Sequence, residues 1–481
     1  MIRRPARRGM VLAVALATLV APACVRSERS LGVQTQSGPQ EEGEDCLAPL
    51  DDADGVVELD LWHALNAKAK TTLEELGAAF NEEQDQVRVS IRSQGTTYGE
   101  VLRAYIQGIS GGDLPGMLHA DAKDLQVLID TDTLAPAQEC FDAEGAEPDV
   151  IPSVRSAFTV DGTYWPALPT VSTPVLYYNQ SHFTAAGLDP AEPPGTLEEV
   201  EATAEELKAS GIDRPLALLL ANGFVESWVV GAGEEIVNNE NGRAGLATES
   251  NFDNEATREA LAWVKRMVDR GLAQPFSTGG IDQYLALATN ASSMVIETST
   301  ASTTIAAFLS GEDVDTGGEA PDPDADLTTL TPAAGPFPGL REPGQVQIGG
   351  GAFYIPATNE PEVQAAAWAF SRFMASEEGQ VTWHTEGSYL PVGVGAAESP
   401  AIQEFWASGL AGTMLEVAST QLFEVDPERP GPIVGPKTDY AAAIEAAMGR
   451  VAFQGASVDD AVREGQRDID TALRRYAEDN G

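Results

Sequence analysis

Basic residues are scarce in this sequence: 29 Lys or Arg stand against 74 Asp or Glu, a formal net charge of −45. A phosphate backbone is held by clustered Lys and Arg, so this balance excludes a nucleic-acid binder. Cysteine is nearly absent, with only Cys24, Cys46 and Cys140. There is no CxxC and no Cys or His at ligand spacing, so no metal site is expected. The four histidines, His63, His119, His182 and His384, are scattered without an HExxH, and they read as satisfied core or surface imidazoles. No phosphate-cradling GxxxxGK[ST] occurs, and no GxGxxG opens a helix after a strand, so no nucleotide cofactor is expected. Beyond the N-terminal segment no apolar run reaches about 18 residues, which excludes a further membrane-spanning helix.

What remains is ordinary globular matter. Hydrophobic residues make up 43% and charged residues 21%, enough to build cores and too little charge for wholesale disorder. At about 100–200 residues per domain, 481 residues imply two or three domains or one large two-lobed body.

Residues 1–23 read as an export signal. Arg3, Arg4, Arg7 and Arg8 form a basic head, Met10 to Val20 an apolar core, and Ala21-Pro22-Ala23-Cys24 a processing site. A small residue directly before Cys resembles a bacterial lipoprotein junction, with Cys24 as the lipidated residue. Ala21 stands where Leu is usual, which leaves cleavage without lipidation as the alternative. Residues 24–55 are polar and acidic without apolar period, as expected of a flexible tether. The chain is thus expected in the cell envelope, exported and lipid-anchored. Acylation of Cys24 would leave Cys46 and Cys140 as an even pair in an oxidising space, and a structural disulfide is expected between them.

From Val56 the pattern becomes regular. Val57, Leu59 and Leu61 alternate with polar neighbours as a strand, and Thr72 with Glu75 reads as a capping box for a helix carrying Leu73, Leu76 and Phe80. A strand at Val87–Ile91, a helix at Tyr98–Ile109 and a strand at Met117–Ala120 repeat the alternation, which predicts a parallel sheet with helices on its faces. A second α/β unit follows Asn179, with Thr196 and Glu199 capping its first helix and Gly271 stopping another. Gly311 to Asp326 reads as a surface loop. Its Asp322, Asp324 and Asp326 lack the glycine and glutamate of a calcium loop. Strand Ala352–Ile355, a helix around Val363–Met374 and helices near Thr438–Phe453 and Ser457–Tyr476 close the chain.

Catalytic signatures are poor. Gly108-Ile109-Ser110-Gly111-Gly112 matches GxSxG, but a nucleophile elbow needs a strand before it and a helix after it. Here a helix precedes, and the segment reads as a helix C-terminal turn. A glycosidase pair of carboxylates is recognised by geometry rather than spacing, which leaves a secreted hydrolase as one reading.

More informative segments lie elsewhere. Trp62-His63 ends the first strand, where α/β folds place ligand-facing residues. Ser172-Thr173-Pro174-Val175-Leu176-Tyr177-Tyr178-Asn179 runs from a hydroxyl-rich loop into a buried strand. Gly349-Gly350-Gly351 leads into another strand and permits close backbone approach. Trp383-His384 and Gly387-Ser388-Tyr389-Leu390-Pro391 place aromatics beside a turn.

In this order, with Phe80-Asn81 and Ala186-Gly187-Leu188-Asp189-Pro190, these segments resemble the extracellular solute-binding proteins of bacterial ABC importers, specifically the glycerol-3-phosphate-binding branch. The resemblance implies a non-enzymatic α/β protein of two lobes joined by hinge strands, with a small polar solute in the cleft and a membrane permease as partner. The lobes are expected as 56–165 with about 297–350, and about 166–296 with 351–481. The resemblance assigns ligand contacts to Tyr98, Asp121, Ser172, Thr298 or Ser299, the backbone of Gly350 or Gly351, and Tyr389. It implies glycerol 3-phosphate or a glycerophosphodiester as solute. The branch's Arg, however, is replaced in Pro436-Lys437-Thr438-Asp439-Tyr440, and Lys is a poorer phosphate clamp than a bidentate Arg. A neutral sugar or oligosaccharide is therefore the alternative, with Trp62, Tyr98, Trp228, Asp121 and Tyr389 as aromatic and carboxylate groups.

Overall fold

In the computed structural model the described residues are 45–278, 282–310 and 330–480. The export signal with Cys24 and the acidic loop from Gly311 to Asp326 lie outside them. Order begins before Val56: Cys46 and Leu50 are buried, a short helix spans Ala48–Asp51, and Cys46 is joined to Cys140 by a disulfide. The polar composition of 24–55 hides these two apolar anchors.

The first sheet grows from the expected alternation. β1 (Val57–His63), β2 (Val87–Ser93) and β3 (Met117–Asp121) are parallel, with Val57 beside Val87 and Leu61 beside Met117. β4 (Leu134–Ala135) lies at its far side, and β5 (Thr159–Val160) with β6 (Thr163–Tyr164) form a separate hairpin. The helix after β1 runs Ala67–Glu83, so Thr72 is inside it and not its cap. Asn66 holds the extended N-cap conformation, and the Thr72 hydroxyl donates back to the Lys68 carbonyl at 2.8 Å. The next helix, Tyr98–Gly111, does carry a capping box, from Thr97 and Glu100, and stops at Gly112 with φ 68°. Ser110 of the GxSxG match lies on this helix's last turn.

β7 (Leu168–Ser172) and β8 (Pro174–Asn179) are separated by Thr173 alone, yet belong to different sheets. β9 (Leu216–Leu219), β10 (Ala273–Phe276), β11 (Met294–Thr298) and β12 (Pro332–Gly335) join β8 in the second sheet, ordered β10-β9-β11-β8-β12. β13 (Gly349–Pro356) returns to the first sheet, between β3 and β7. The first sheet is thus ordered β2-β1-β3-β13-β4, with β7 also paired to β13.

This pairing departs from the expected lobe boundaries. Residues 168–172 and 351–356 serve the first sheet, β12 serves the second, and helix Pro361–Ala375 packs on β1. Helices Lys437–Phe453 and Val458–Asn480 return to the second core, against helix Glu255–Asp269. Periodicity identifies β13 as a strand, but its partners are set by apolar faces distant in sequence: Ala352, Phe353 and Tyr354 are fully buried in the first core. The chain crosses between sheets at Thr173 and between β12 and β13. Gln421, on helix Gly409–Glu424, braces the first crossing: its amide nitrogen donates to Thr173 Oγ1 and the Pro174 carbonyl, each at 2.7 Å, and its amide oxygen accepts from Phe337 N–H at 3.0 Å.

Candidate functional site

Because β1, β2 and β3 are parallel, the residues following them gather at one edge of the sheet, where open α/β folds collect ligands. A cavity of about 300 Å³ opens at this edge. Asn66 and Lys68 line it from the start of one helix, and Thr96, Thr97 and Tyr98 from the start of the next. Thr300 and Thr304 come from the chain arriving from β11, and Tyr389 closes the ring. Six of the twelve lining residues bear hydroxyls and four, Ala64, Leu65, Ala67 and Ala69, are apolar, a mixture suited to a polyhydroxylated solute that offers both hydrogen-bonding groups and carbon faces.

Two phenols anchor the cavity. Tyr98 Oη and Tyr389 Oη lie 3.3 Å apart, and the Tyr389 ring stacks on Trp383. Burial raises both phenol pKa values, that of Tyr98 well above its usual range and that of Tyr389 to about 12, so both remain neutral hydroxyls. The Tyr389 turn is fixed on either side. Leu390 N–H donates to the Val171 carbonyl at 2.9 Å, and the Ser388 hydroxyl accepts from Thr303 N–H at 3.0 Å. Gly351 stands behind Tyr98: a Cβ there would lie 2.9 Å from Tyr98 Oη and 2.4 Å from the Ala120 carbonyl, so no larger residue fits.

Next to the phenols the two lobes meet through charge. Lys437, first residue of its helix on the second core, lies 2.7 Å from Asp121 Oδ2 and 2.6 Å from Asp124 Oδ1. Lys123, between those aspartates, pairs with Glu226 of helix Asn222–Gly231, which follows β9. Glu226 is buried and also accepts from Asn222 Nδ2 at 2.8 Å. Burial works against the Lys437 charge, but the two aspartates overcome it and hold its pKa above the usual lysine value. Burial and the neighbouring Asp121 push Asp124 up to about 7, whereas Asp121, although burial opposes its charge, is held below the ordinary value by Lys437.

Of the residues expected at the site, Tyr98 and Tyr389 line the cavity together. Thr298 lies beside it, with Oγ1 3.2 Å from Thr300 Oγ1. Asp121 is in the adjoining ion pair. Ser299 is elsewhere: its hydroxyl accepts from Thr173 N–H at 3.3 Å, inside the crossing between sheets. Ser172 is buried at the end of β7 opposite Gly349, and Gly350, with φ 88°, packs against the Thr170 carbonyl. Trp228 is a core residue. It is 1% exposed, stacks on Phe337 and donates Nε1–H to the Pro338 carbonyl, so it offers no face to a solute. Trp62 packs against the first core. Sequence reasoning missed Asp124, Lys123 and Glu226; only the Asp121-Ala122-Lys123-Asp124 run of alternating charge marks the first two. Among the described residues no group of three or more His, Cys, Asp or Glu is placed to hold a metal ion, and no helix is long and apolar enough to cross a membrane.

Comparison with known proteins agrees with this architecture. Residues 75–408 match the family model for bacterial extracellular solute-binding proteins, and the chain belongs to that family. The sn-glycerol-3-phosphate-binding periplasmic protein UgpB of Yersinia pestis bv. Antiqua is 22% identical over 441 residues, covering 88% of this chain and 94% of the relative. UgpB from Mycobacterium tuberculosis, solved in complex with glycerophosphocholine, superposes with a TM-score of 0.69 at 19% identity, covering 88% and 100% of the two chains. The sugar-binding protein MalE from Xanthomonas citri superposes equally well, with a TM-score of 0.69 at 19% identity over 88% and 99%. The fold is therefore the two-lobed periplasmic-binding-protein type.

Proposed function

We propose that this protein captures a small hydroxyl-bearing solute outside the cytoplasm and delivers it unaltered to the permease of an ABC importer. The cavity beside the paired phenols Tyr98 and Tyr389 carries this reading: it offers neutral hydroxyls, and the two sheets of the fold are joined by chain crossings able to act as hinges. Cys24 is the proposed lipid anchor that keeps the protein near its permease.

Two solute classes have support. The UgpB relatives favour glycerol 3-phosphate or a glycerophosphodiester. The engagement of Lys437 by two carboxylates favours an uncharged sugar. A thermal-shift screen of glycerol phosphates, glycerophosphodiesters and oligosaccharides tests the capture reading, because a ligand of the native state raises its apparent stability. At least one class should raise the midpoint and be recovered chemically unchanged. Hydrolysed product forming faster than in buffer would instead support the hydrolase reading. Replacing Cys24 with Ser should release the protein from membranes in its native host; equal solubility of both forms would refute the anchor.

A further inference from the structure

The ion pairs beside the cavity are crossed. Lys437 comes from the second lobe and meets Asp121 and Asp124 of the first, while Lys123 comes from the first and meets Glu226 of the second. Three carboxylates thus surround two ammonium groups.

We propose that Asp124 and Glu226 are specificity-determining residues: by holding Lys437 and Lys123 in ion pairs across the lobes, they withhold both cations from an anionic solute and select an uncharged polyhydroxylated one. The proposal rests on the solute-capture reading above and names its substrate class.

Burial makes the arrangement hard to undo. The side chains of Asp124 and Glu226 are 0% and 1% exposed, against 22% for Lys437 and 26% for Lys123. Asp124 Oδ2 has no hydrogen-bond partner among the described residues. If Lys437 moved to a phosphate, Asp121 and Asp124 would lose the one cation they share at a buried position, and breaking a buried pair on one side is unfavourable. Glu226 would lose Lys123 in the same way. A hydroxyl makes no such demand. The Asp121 carboxylate, itself 22% exposed, accepts from sugar hydroxyls while retaining Lys437, and the two phenols donate or accept as the solute requires. Lys68 is the basic side chain on the cavity wall, so its contribution must be separated by experiment.

Calorimetry at one ionic strength, with a panel of uncharged mono- and oligosaccharides and with sn-glycerol 3-phosphate, decides the matter. The wild type should bind at least one sugar at least tenfold more tightly than glycerol 3-phosphate. In Asp124→Asn and in Glu226→Gln, each freeing charge on one lysine, the ratio of the two affinities should shift at least tenfold toward the phosphate. Glu226→Gln carries the test alone if Asp124→Asn does not fold. Tighter binding of glycerol 3-phosphate than of every sugar by the wild type, particularly if lost in Lys68→Ala, would overturn the proposal and leave solute capture intact. An unchanged ratio in the folded variants would also overturn it. Binding of neither class would overturn both.

Discussion

The indole of Trp383 and the phenol ring of Tyr389 lie parallel, their planes 2° apart and their centroids 4.9 Å apart. Trp383 belongs to helix Glu377–Thr385, whereas Tyr389 sits in the turn beyond it, with Ser388 at φ 63° reversing the chain between them. The stack therefore aims the phenol at Tyr98. Trp383→Leu should weaken solute binding roughly tenfold, since an aromatic pair contributes about 0.5–1.5 kcal/mol beyond its buried area and the phenol loses its fixed position. Tyr389→Phe keeps the stack and removes only the hydroxyl. Calorimetry on both variants separates positioning from hydrogen bonding, and wild-type affinity in Trp383→Leu would show that the stack positions nothing.

Gln421 offers a test of the crossing between sheets. Its side chain satisfies the Thr173 hydroxyl and the Phe337 N–H, both at buried positions, and the half-buried Pro174 carbonyl. Gln421→Leu removes all three partners while keeping similar volume. Leaving buried polar groups unsatisfied costs about 1–3 kcal/mol each before relaxation, so the variant should lose at least about 2 kcal/mol in urea unfolding. A loss below about 0.5 kcal/mol would mean that water replaces the amide there and that the crossing is looser than it looks.

The first α/β unit was legible in the sequence because its signals are local. Alternation fixes β1 and β2, and in the second unit Thr196 with Glu199 caps its helix where the spacing places it. Thr72 misled because its box pattern is also met inside a helix, where its hydroxyl bonds four residues back. The partner of β13 and the crossed ion pairs depend on residues more than 100 positions apart, which no periodicity records. The site shows the same division. Tyr98 and Tyr389 were found through motif order, whereas Asp124 and Glu226 owe their meaning to burial, which appears only once both lobes are folded.

The buried histidines predict an acid sensitivity. His384 is held in one neutral tautomer: Trp406 Nε1–H donates to its Nε2 at 2.7 Å, leaving Nδ1–H to donate to the Tyr389 carbonyl at 2.8 Å. His63 Nδ1 accepts from Leu65 N–H at 3.0 Å. Burial lowers the pKa of His384 and His63 to about 4 and that of His119 to about 3. The unfolded chain has imidazoles near the ordinary value of about 6.5. Below that pH the unfolded state binds more protons than the folded one, so stability is full above about 6.5 and declines as pH falls toward 4. Each histidine contributes a slope approaching about 1.4 kcal/mol per pH unit inside that window. Urea midpoints measured from pH 7 to pH 4.5 should fall steadily, and His384→Gln should flatten the profile. A flat wild-type profile would mean that these rings titrate in the folded protein much as they do in the unfolded chain.

The disulfide should tie the start of the folded body to the rest. Cys46 and Cys140 are 94 residues apart, with Cα atoms 5.5 Å from one another. For a closed loop of that length the chain-entropy estimate is about 3–5 kcal/mol, the lower part of the range being commoner in practice. Besides the bond, the segment before β1 is held by the short helix Ala48–Asp51, whose buried Leu50 packs in the first core, and by the Leu50 carbonyl accepting from Gln86 at 2.7 Å. Cys46→Ser with Cys140→Ser should therefore have two effects: a lower urea midpoint, and proteolytic cleavage between residues 45 and 56 under conditions where the wild type resists. Cleavage without a change in midpoint would assign the bond a local role only, whereas free thiols at both positions in exported wild-type protein would show that the bond is not made.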